Sequence, residues 1–141
     1  MARVQLALNV TDVDAAVVFY ERLFATPVAK RKPGYANFEI AEPPLKLVLI
    51  EAPEGGTLNH LGVEVMTAPE VTAAEARLAA DGLATTGVDE TVCCYAEKVE
   101  TWVTDPDGAK WEWYVKTADA DEMALRVIDA GGTGTPGTCC A

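Results

Sequence analysis

The feature that most constrains the fold is a repeated order of elements, in which a strand and a helix are followed by three strands. Alternating apolar residues predict a half-buried strand over Arg3–Val10, and helical spacing predicts an amphipathic helix from about Asp12 to Phe24 with Thr11 as its N-cap. Turns rich in proline then separate three strand-like runs, Val28–Lys32, Tyr35–Ile40 and Lys46–Glu51.

The same order begins again after the turn-rich segment PEGGT. The segment HLGVEV, which His60 opens, is a predicted strand, and Thr67 with Glu70 forms a capping box for a helix to about residue 80. Further apolar runs follow, the last of them Lys110–Val115. Two such units bury their apolar faces best against each other. The sequence therefore predicts an α+β fold of two βαβββ modules, forming one curved mixed sheet that encloses a cleft.

The chain of 141 residues has the length of one domain. We expect that domain over residues 1–129, with module one over about 3–52 and module two over about 58–117. Helical spacing of apolar residues predicts a C-terminal helical segment over about 118–129. The tail 130–141, AGGTGTPGTCCA, is rich in glycine, threonine and proline and is predicted to be disordered.

Charge and hydropathy exclude some partners. The net charge is −11, with 22 acidic and 11 basic residues, so nucleic acid is not an expected partner. No apolar run approaches the ~18 residues of a membrane span. The first residues lack the apolar core and cleavage site of a signal peptide, which indicates a cytoplasmic protein. In that reducing compartment, cysteines serve more often as ligands or nucleophiles than as disulfides.

Aligning the two repeats suggests a metal site. QLALNV lies over HLGVEV and PPLKLV over PDGAKWE, so Gln5 matches His60 and Val48 matches Glu112. Pseudo-symmetry would make these four residues the corners of one site, and three of them can bind a metal. Taken alone, His60 also fits a hydrogen-bonded structural histidine, and Glu112 also fits the polar face of an edge strand. Their coincidence favours a metal, and three ligands leave an octahedral ion open positions, as in non-haem iron sites.

Two adjacent cysteines, Cys93 and Cys94, stand in the stretch TVCCYAEKVETWV. A pair of thiolates binds soft ions such as trivalent arsenic or cadmium far better than hard ions. Successive side chains of a strand point to opposite faces, so joint capture requires CCYAEK to leave strand geometry and form a mobile loop. Two alternatives remain open, a pair of small buried residues and a strained vicinal disulfide.

A second vicinal pair, Cys139 and Cys140, ends the tail. We interpret these residues either as accessory thiols that collect soft metals near the cleft or as two thiols of a frayed terminus without a role.

These residues resemble the vicinal oxygen chelate superfamily, which comprises glyoxalases, bleomycin-resistance proteins and extradiol dioxygenases. The resemblance rests on the paired modules, Gln5 in the first strand, NHLGVEV with His60, and DPDGAKWEWY with Glu112. With the vicinal cysteines added, the chain is similar to the branch that contains carbon–arsenic lyases acting on organoarsenicals and cadmium-induced proteins. The resemblance covers about Arg3–Thr117.

The resemblance implies an Fe(II)- and O2-dependent carbon–arsenic lyase that demethylates or dearylates trivalent organoarsenicals, such as methylarsenite, to inorganic arsenite. Gln5, His60 and Glu112 would bind Fe(II), Cys93 and Cys94 would bind the arsenic, and no catalytic residue beyond the metal centre is implied. Two alternatives are a cadmium- or arsenic-binding resistance protein without turnover, and another dioxygenase or isomerase reaction of the superfamily. The electron donor and a homodimer are left open.

Overall fold

The computed structural model describes residues 2–123, 125–127 and 136–137. The chain forms an N-terminal unit, Arg3–Leu61, and a C-terminal unit that begins at Gly62. The boundary lies inside strand β5, Thr57–Glu64, whereas the sequence suggests a boundary before this strand.

The N-terminal unit contains four complete strands of a mixed sheet, one helix and the first part of β5. Its elements are β1 Arg3–Val10, α1 Val13–Phe24, β2 Lys30–Lys32, β3 Tyr35–Ile40 and β4 Leu45–Glu51. β1 pairs in parallel with β4, while β4 with β3 and β3 with β2 pair antiparallel. The parallel register sets Leu6 beside Leu47 and Leu8 beside Leu49, so the apolar faces of both strands coincide.

Helix α1 begins one residue later than its predicted cap implies. The N-cap is Asp12, whose side chain accepts a hydrogen bond from the Ala15 backbone N–H at 3.1 Å, and the prediction of Thr11 is wrong. The Asp12 carboxylate satisfies a first-turn N–H that has no partner within the helix. The helix packs its apolar stripe on the sheet in a core of seven buried residues: Val13, Val17, Ala36, Phe38, Ile40, Leu47 and Leu49.

Strand β1 is covered on both faces, not on one as its alternating pattern predicts. Leu6 and Leu8 pack against the core, and on the opposite face Gln5 is 2% and Ala7 0% exposed. A buried amide is tolerated only with hydrogen-bonding partners, so Gln5 belongs to a buried polar arrangement.

The C-terminal unit contains the second helix and an antiparallel meander. Its elements after β5 are α2 Ala68–Ala80, β6 Asp89–Cys93, β7 Ala96–Thr104, β8 Lys110–Asp119, β9 Leu125–Val127 and β10 Pro136–Gly137. The pairs β6–β7, β7–β8, β6–β9 and β9–β10 are antiparallel. The predicted α+β fold of two βαβββ modules is confirmed, with β1 to β4 around α1 and β5 to β8 around α2.

The predicted capping box of α2 is also confirmed. The Glu70 carboxylate accepts from the Thr67 backbone N–H at 2.8 Å and from Met66 N–H at 2.9 Å. The Thr67 hydroxyl donates to the same carboxylate at 3.0 Å, and this bond together with the two backbone bonds lowers the pKa of Glu70. Gly82, at φ +85°, follows the helix in the left-handed conformation that favours glycine. Neither helix of the described residues has the length and hydropathy to cross a membrane.

The predicted helical segment over about 118–129 is wrong where the structure describes it. β8 runs through residues 118–119, and Leu125–Val127 is a strand in which Val127 pairs with Thr91 of β6. The apolar residues 123, 125 and 127 have a spacing of two as well as a helical one, and the edge of β6 offers backbone partners to a strand.

The predicted disorder of the tail is tested at only two residues. Pro136–Gly137 forms β10 against β9, contrary to that prediction, and Cys139 and Cys140 lie outside the described residues.

Phe38 tests the N-terminal core. Phe38 is 0% exposed, whereas Phe19 on α1 is 58% exposed. We expect Phe38→Ala to lower the free energy of unfolding by about 3–5 kcal/mol because it leaves a cavity. The matched change Phe19→Ala should cost about 0.5 kcal/mol or less. Denaturant unfolding of both variants measures the difference, and equal losses would contradict the assigned core.

Candidate functional site

Two of the predicted metal ligands lie side by side in the N-terminal unit. Gln5 on β1 and His60 on β5 are each 2% exposed, and the Gln5 side-chain Nε2 lies 3.2 Å from His60 Nε2. The repeat alignment, which sets Gln5 on His60, thus matches residues that meet in space.

Hydrogen bonds among Asn59, Asn9 and Thr57 indicate the tautomer of the His60 ring. Asn59 Nδ2 donates to Asn9 Oδ1 at 3.0 Å, and Asn9 Nδ2 donates to Thr57 Oγ1 at 2.9 Å. The remaining polar atom, Asn59 Oδ1, lies 2.7 Å from His60 Nδ1 and can only accept, so Nδ1 carries the proton. His60 Nε2 therefore keeps a lone pair, which accepts from the Gln5 amide. A ring held in this way is in the form that binds metals.

The third predicted ligand, Glu112, lies on β8 of the C-terminal unit in a buried salt bridge. Glu112 is 1% exposed, and its Oε1 accepts from Lys98 Nζ at 2.7 Å. Lys98, itself buried, also lies over the Tyr114 ring, with Nζ 4.6 Å from the centroid. The Tyr114 hydroxyl donates to Glu64 Oε2 at 3.0 Å. Glu112 is therefore part of a buried charged network on the strands of this unit.

Glu100 belongs to the same network and is absent from the sequence-based prediction. It is 2% exposed, and burial together with the Glu112 carboxylate raises the pKa of Glu100 to about 8, against the opposing effect of Lys98. Within the described part of the chain, Glu100 Oε2 has no hydrogen-bond partner. Strand alternation in EKVETW, with Lys98, Glu100 and Trp102 on one face, is the signal that could have found it.

Cys93 and Cys94 lie at a hairpin turn and are both buried. Cys93 is the last residue of β6 and pairs with Ala96, so Cys94 and Tyr95 form a two-residue turn. Both turn residues have positive φ, 52° and 59°, as in type I′ hairpins. The turn breaks the alternation of the strand and brings the two sulfur atoms to 3.4 Å.

The prediction that CCYAEK forms a mobile loop is wrong for most of that segment. Only Cys94 and Tyr95 leave strand geometry, and β7 already begins at Ala96. The Cys94 and Tyr95 backbone N–H groups donate to the carbonyls of Met123 and Glu122 at 3.0 and 2.9 Å. These bonds fix a turn whose left-handed residues cost about 1–2 kcal/mol each.

The donor set fits a divalent metal ion by its chemistry. Gln5 supplies a neutral amide, His60 an imidazole whose Nε2 accepts from that amide, and Glu112 a carboxylate held in a salt bridge. Turning the Gln5 amide would present its oxygen where the nitrogen now lies. In residues 2–123, 125–127 and 136–137, no three His, Cys, Asp or Glu side chains form a metal-binding group.

Comparison with known families decides the membership of the chain. The family model described as "Glyoxalase/Bleomycin resistance protein/Dioxygenase superfamily" matches residues 3–113, which include both modules through Glu112. The chain belongs to this superfamily. The predicted vicinal oxygen chelate fold is thereby confirmed, as is the narrower branch, on the relatives that follow.

Two similar proteins align with most of this chain. The cadmium-induced protein CadI of Mycobacterium tuberculosis is 58% identical over 122 residues, 86% of this chain and 80% of CadI. A trivalent organoarsenical cleaving enzyme of Thermomonospora curvata is 56% identical over 126 residues, 88% of this chain and 83% of that protein.

A solved structure supports the fold alone. The Mn(II)-bound glyoxalase of Novosphingobium aromaticivorans has a TM-score of 0.61 at 20% identity, over 86% of this chain and 43% of that chain.

The raised pKa of Glu100 predicts a specific pH dependence of stability. The folded protein keeps a proton that the unfolded chain releases near the ordinary pKa of 4.5, so stability should fall as pH rises from about 4.5 to about 8. Over this range the wild type should lose up to about 1.4 kcal/mol of unfolding free energy per pH unit. Glu100→Gln mimics the protonated carboxyl, so this variant should not show that loss. Unfolding of chelator-treated protein at several pH values measures this loss.

The matched control is Glu90→Gln, at an exposed position on β6, which should keep the wild-type pH dependence. A wild-type slope in Glu100→Gln would contradict the raised pKa.

Proposed function

We propose that the protein is an Fe(II)- and O2-dependent lyase that cleaves the carbon–arsenic bond of trivalent organoarsenicals and releases inorganic arsenite. The observation that carries the proposal is the buried Cys93–Cys94 turn, whose sulfur atoms lie 3.4 Å apart. The similarity to an organoarsenical cleaving enzyme at 56% identity supports it.

In the reduced protein, Cys93 and Cys94 would bind one arsenic atom as two thiolates. Two bonds of about 2.3 Å, the length of a zinc–thiolate bond, span 3.4 Å at an angle near 95°. This angle suits a pyramidal ion such as trivalent arsenic better than a tetrahedral one. The third substituent of the arsenic, a methyl or aryl group, stays bound to the captured atom.

Gln5, His60 and Glu112 would bind the iron. Asn59 holds the His60 ring in the tautomer with a lone pair on Nε2, and Lys98 holds Glu112. Two neutral ligands and one carboxylate leave Fe(II) a net positive charge and open positions. Iron bound there would supply the activation of O2.

The proposed reaction balances with a single O2. Methylarsenite, CH3As(OH)2, and O2 contain the same atoms as formaldehyde, HCHO, and arsenite, As(OH)3. The carbon–arsenic bond breaks, and the methyl carbon is oxidised while dioxygen is reduced. No further electron donor is needed for this stoichiometry.

A second candidate is a resistance protein that binds soft metals without turnover. The same pair of buried sulfur atoms favours it, because thiolates bind cadmium as well as arsenic. The two candidates differ in whether a product is formed.

Cys139 and Cys140 are proposed as accessory thiols. β10 ends at Gly137 and pairs with β9, which pairs with β6, the strand that ends at Cys93. A tethered thiol pair raises the local concentration of soft ligands, and the effect is greatest when the ligand is scarce.

The main prediction concerns product formation. We expect protein reduced and loaded anaerobically with Fe(II) to convert methylarsenite to arsenite after air is admitted, with no arsenite formed when Fe(II) or O2 is left out. Arsenic speciation by chromatography and a formaldehyde assay measure the products. Intact methylarsenite bound to the protein under all conditions would support the binding protein and contradict the lyase.

Variants separate the two parts of the site. Cys93→Ser and Cys94→Ser should each weaken methylarsenite binding by about 100-fold or more, since capture by two linked thiolates is lost. Tyr95→Phe in the same turn is the control and should keep near wild-type binding. Glu112→Gln should bind methylarsenite normally but release no arsenite.

The proposed role of the tail cysteines predicts that they affect the reaction rate only at low methylarsenite concentration. The double change Cys139→Ser with Cys140→Ser should lower the rate at methylarsenite concentrations far below saturation and leave the rate at saturation unchanged. Steady-state kinetics over a wide substrate range tests this, with Thr135→Ser and Thr138→Ser as the control pair. Identical kinetics at all concentrations would show that the terminal thiols have no role.

A further inference from the structure

We propose that Lys98 is a positioning residue for Glu112: its ammonium group, 2.7 Å from Glu112 Oε1, fixes the orientation of the carboxylate that would bind a divalent metal ion. This inference rests on the proposed function, in which Glu112 is a metal ligand.

The salt bridge is buried on both sides. Lys98 Nζ lies 2.7 Å from Glu112 Oε1, and the two side chains are 5% and 0% exposed. A charge-assisted hydrogen bond in such surroundings is short and strong, because no water competes for either group. Lys98 therefore restricts the orientation of the Glu112 carboxylate.

The strand register shows how these side chains come to meet. Glu112 lies opposite Trp102, whereas Lys98 lies opposite Lys116, which is four residues further along β8. Four residues span roughly 13 Å, so the two side chains must extend towards each other along the sheet. The register between β7 and β8 shifts between Glu97 and Lys98, and such bulges re-aim side chains.

Two further residues confine this contact. The Tyr114 ring lies under the Lys98 ammonium at 4.6 Å from its centroid, a cation–π distance. Glu100 is buried near the same pair: burial and the Glu112 carboxylate raise its pKa, and the Lys98 ammonium lowers it. Without Lys98, the Glu112 carboxylate would lose its anchor while keeping a second carboxyl group as its neighbour.

A neutral replacement of Lys98 should weaken metal binding. Residues that orient a metal ligand typically contribute about 10- to 100-fold to metal affinity. We expect Lys98→Met to weaken Co(II) binding by that factor and to change the visible absorption of bound Co(II), which reports ligand geometry. Lys98→Arg should restore most of the affinity, because a guanidinium also donates to a carboxylate.

The experiment is a Co(II) titration of the reduced full-length chain, followed by calorimetry and absorption. Lys116→Met is the matched control, because Lys116 lies on the same strand pair and forms an exposed salt bridge of 2.7 Å to Asp119. It should bind Co(II) like the wild type. If Lys98→Met does not fold, Lys98→Gln replaces it, and the same loss is expected.

The outcomes separate the inference from the proposed function. Wild-type affinity and absorption in the Lys98→Met or Lys98→Gln protein, with binding lost in Glu112→Gln, would overturn the role of Lys98 alone. Wild-type Co(II) binding in Glu112→Gln would overturn the metal centre, and with it the inference. If Lys98→Met binds Co(II) weakly and Lys98→Arg does not restore the affinity, Lys98 has only a structural role and the positioning role is overturned.

Discussion

Burial of polar side chains on strands is the constraint on which the candidate site depends. A buried amide, imidazole or carboxylate costs several kcal/mol unless a partner in the protein replaces water. His60 meets this requirement with Asn59 and Gln5, and Glu112 meets it with Lys98. The partners also fix orientation and tautomer, so the contacts that stabilise these buried groups would also prepare them for the proposed metal ion.

The cysteine turn shows a different compromise between stability and chemistry. A type I′ turn is favourable for a two-residue hairpin, but it usually uses asparagine or glycine at positions with positive φ. Cys94 and Tyr95 occupy these positions at a conformational cost, and hydrogen bonds to Met123 and Glu122 hold them there. An extended strand would separate adjacent sulfur atoms onto two faces. The strained turn is what brings them to 3.4 Å.

Patterns with a local cause could be predicted from the sequence. Period-two and helical spacing gave β1, α1 and the order of both modules, and the Thr67–Glu70 box marked the start of α2. The helix predicted after residue 117 failed because the alternation of residues 123, 125 and 127 fits a strand once β6 provides an edge. Lys98 and Glu100 were not predicted as site residues because their placement near Glu112 depends on burial and on register with β8. The sequence placed Lys98 at the end of the predicted CCYAEK loop, and neither its burial nor its register with β8 can be read from that pattern.

The two sets of candidate ligands differ in chemical softness, and this difference allows them to work together in the proposed lyase. Amide oxygen, imidazole and carboxylate favour ions such as Fe(II), whereas a pair of thiolates favours trivalent arsenic. Neither ion would displace the other from its own ligands at moderate concentration. A single set of mixed ligands would bind whichever ion was more abundant, and the substrate would then inhibit the enzyme by removing its metal. In the proposed lyase, keeping the two thiols out of the nitrogen and oxygen ligand set would avoid this competition.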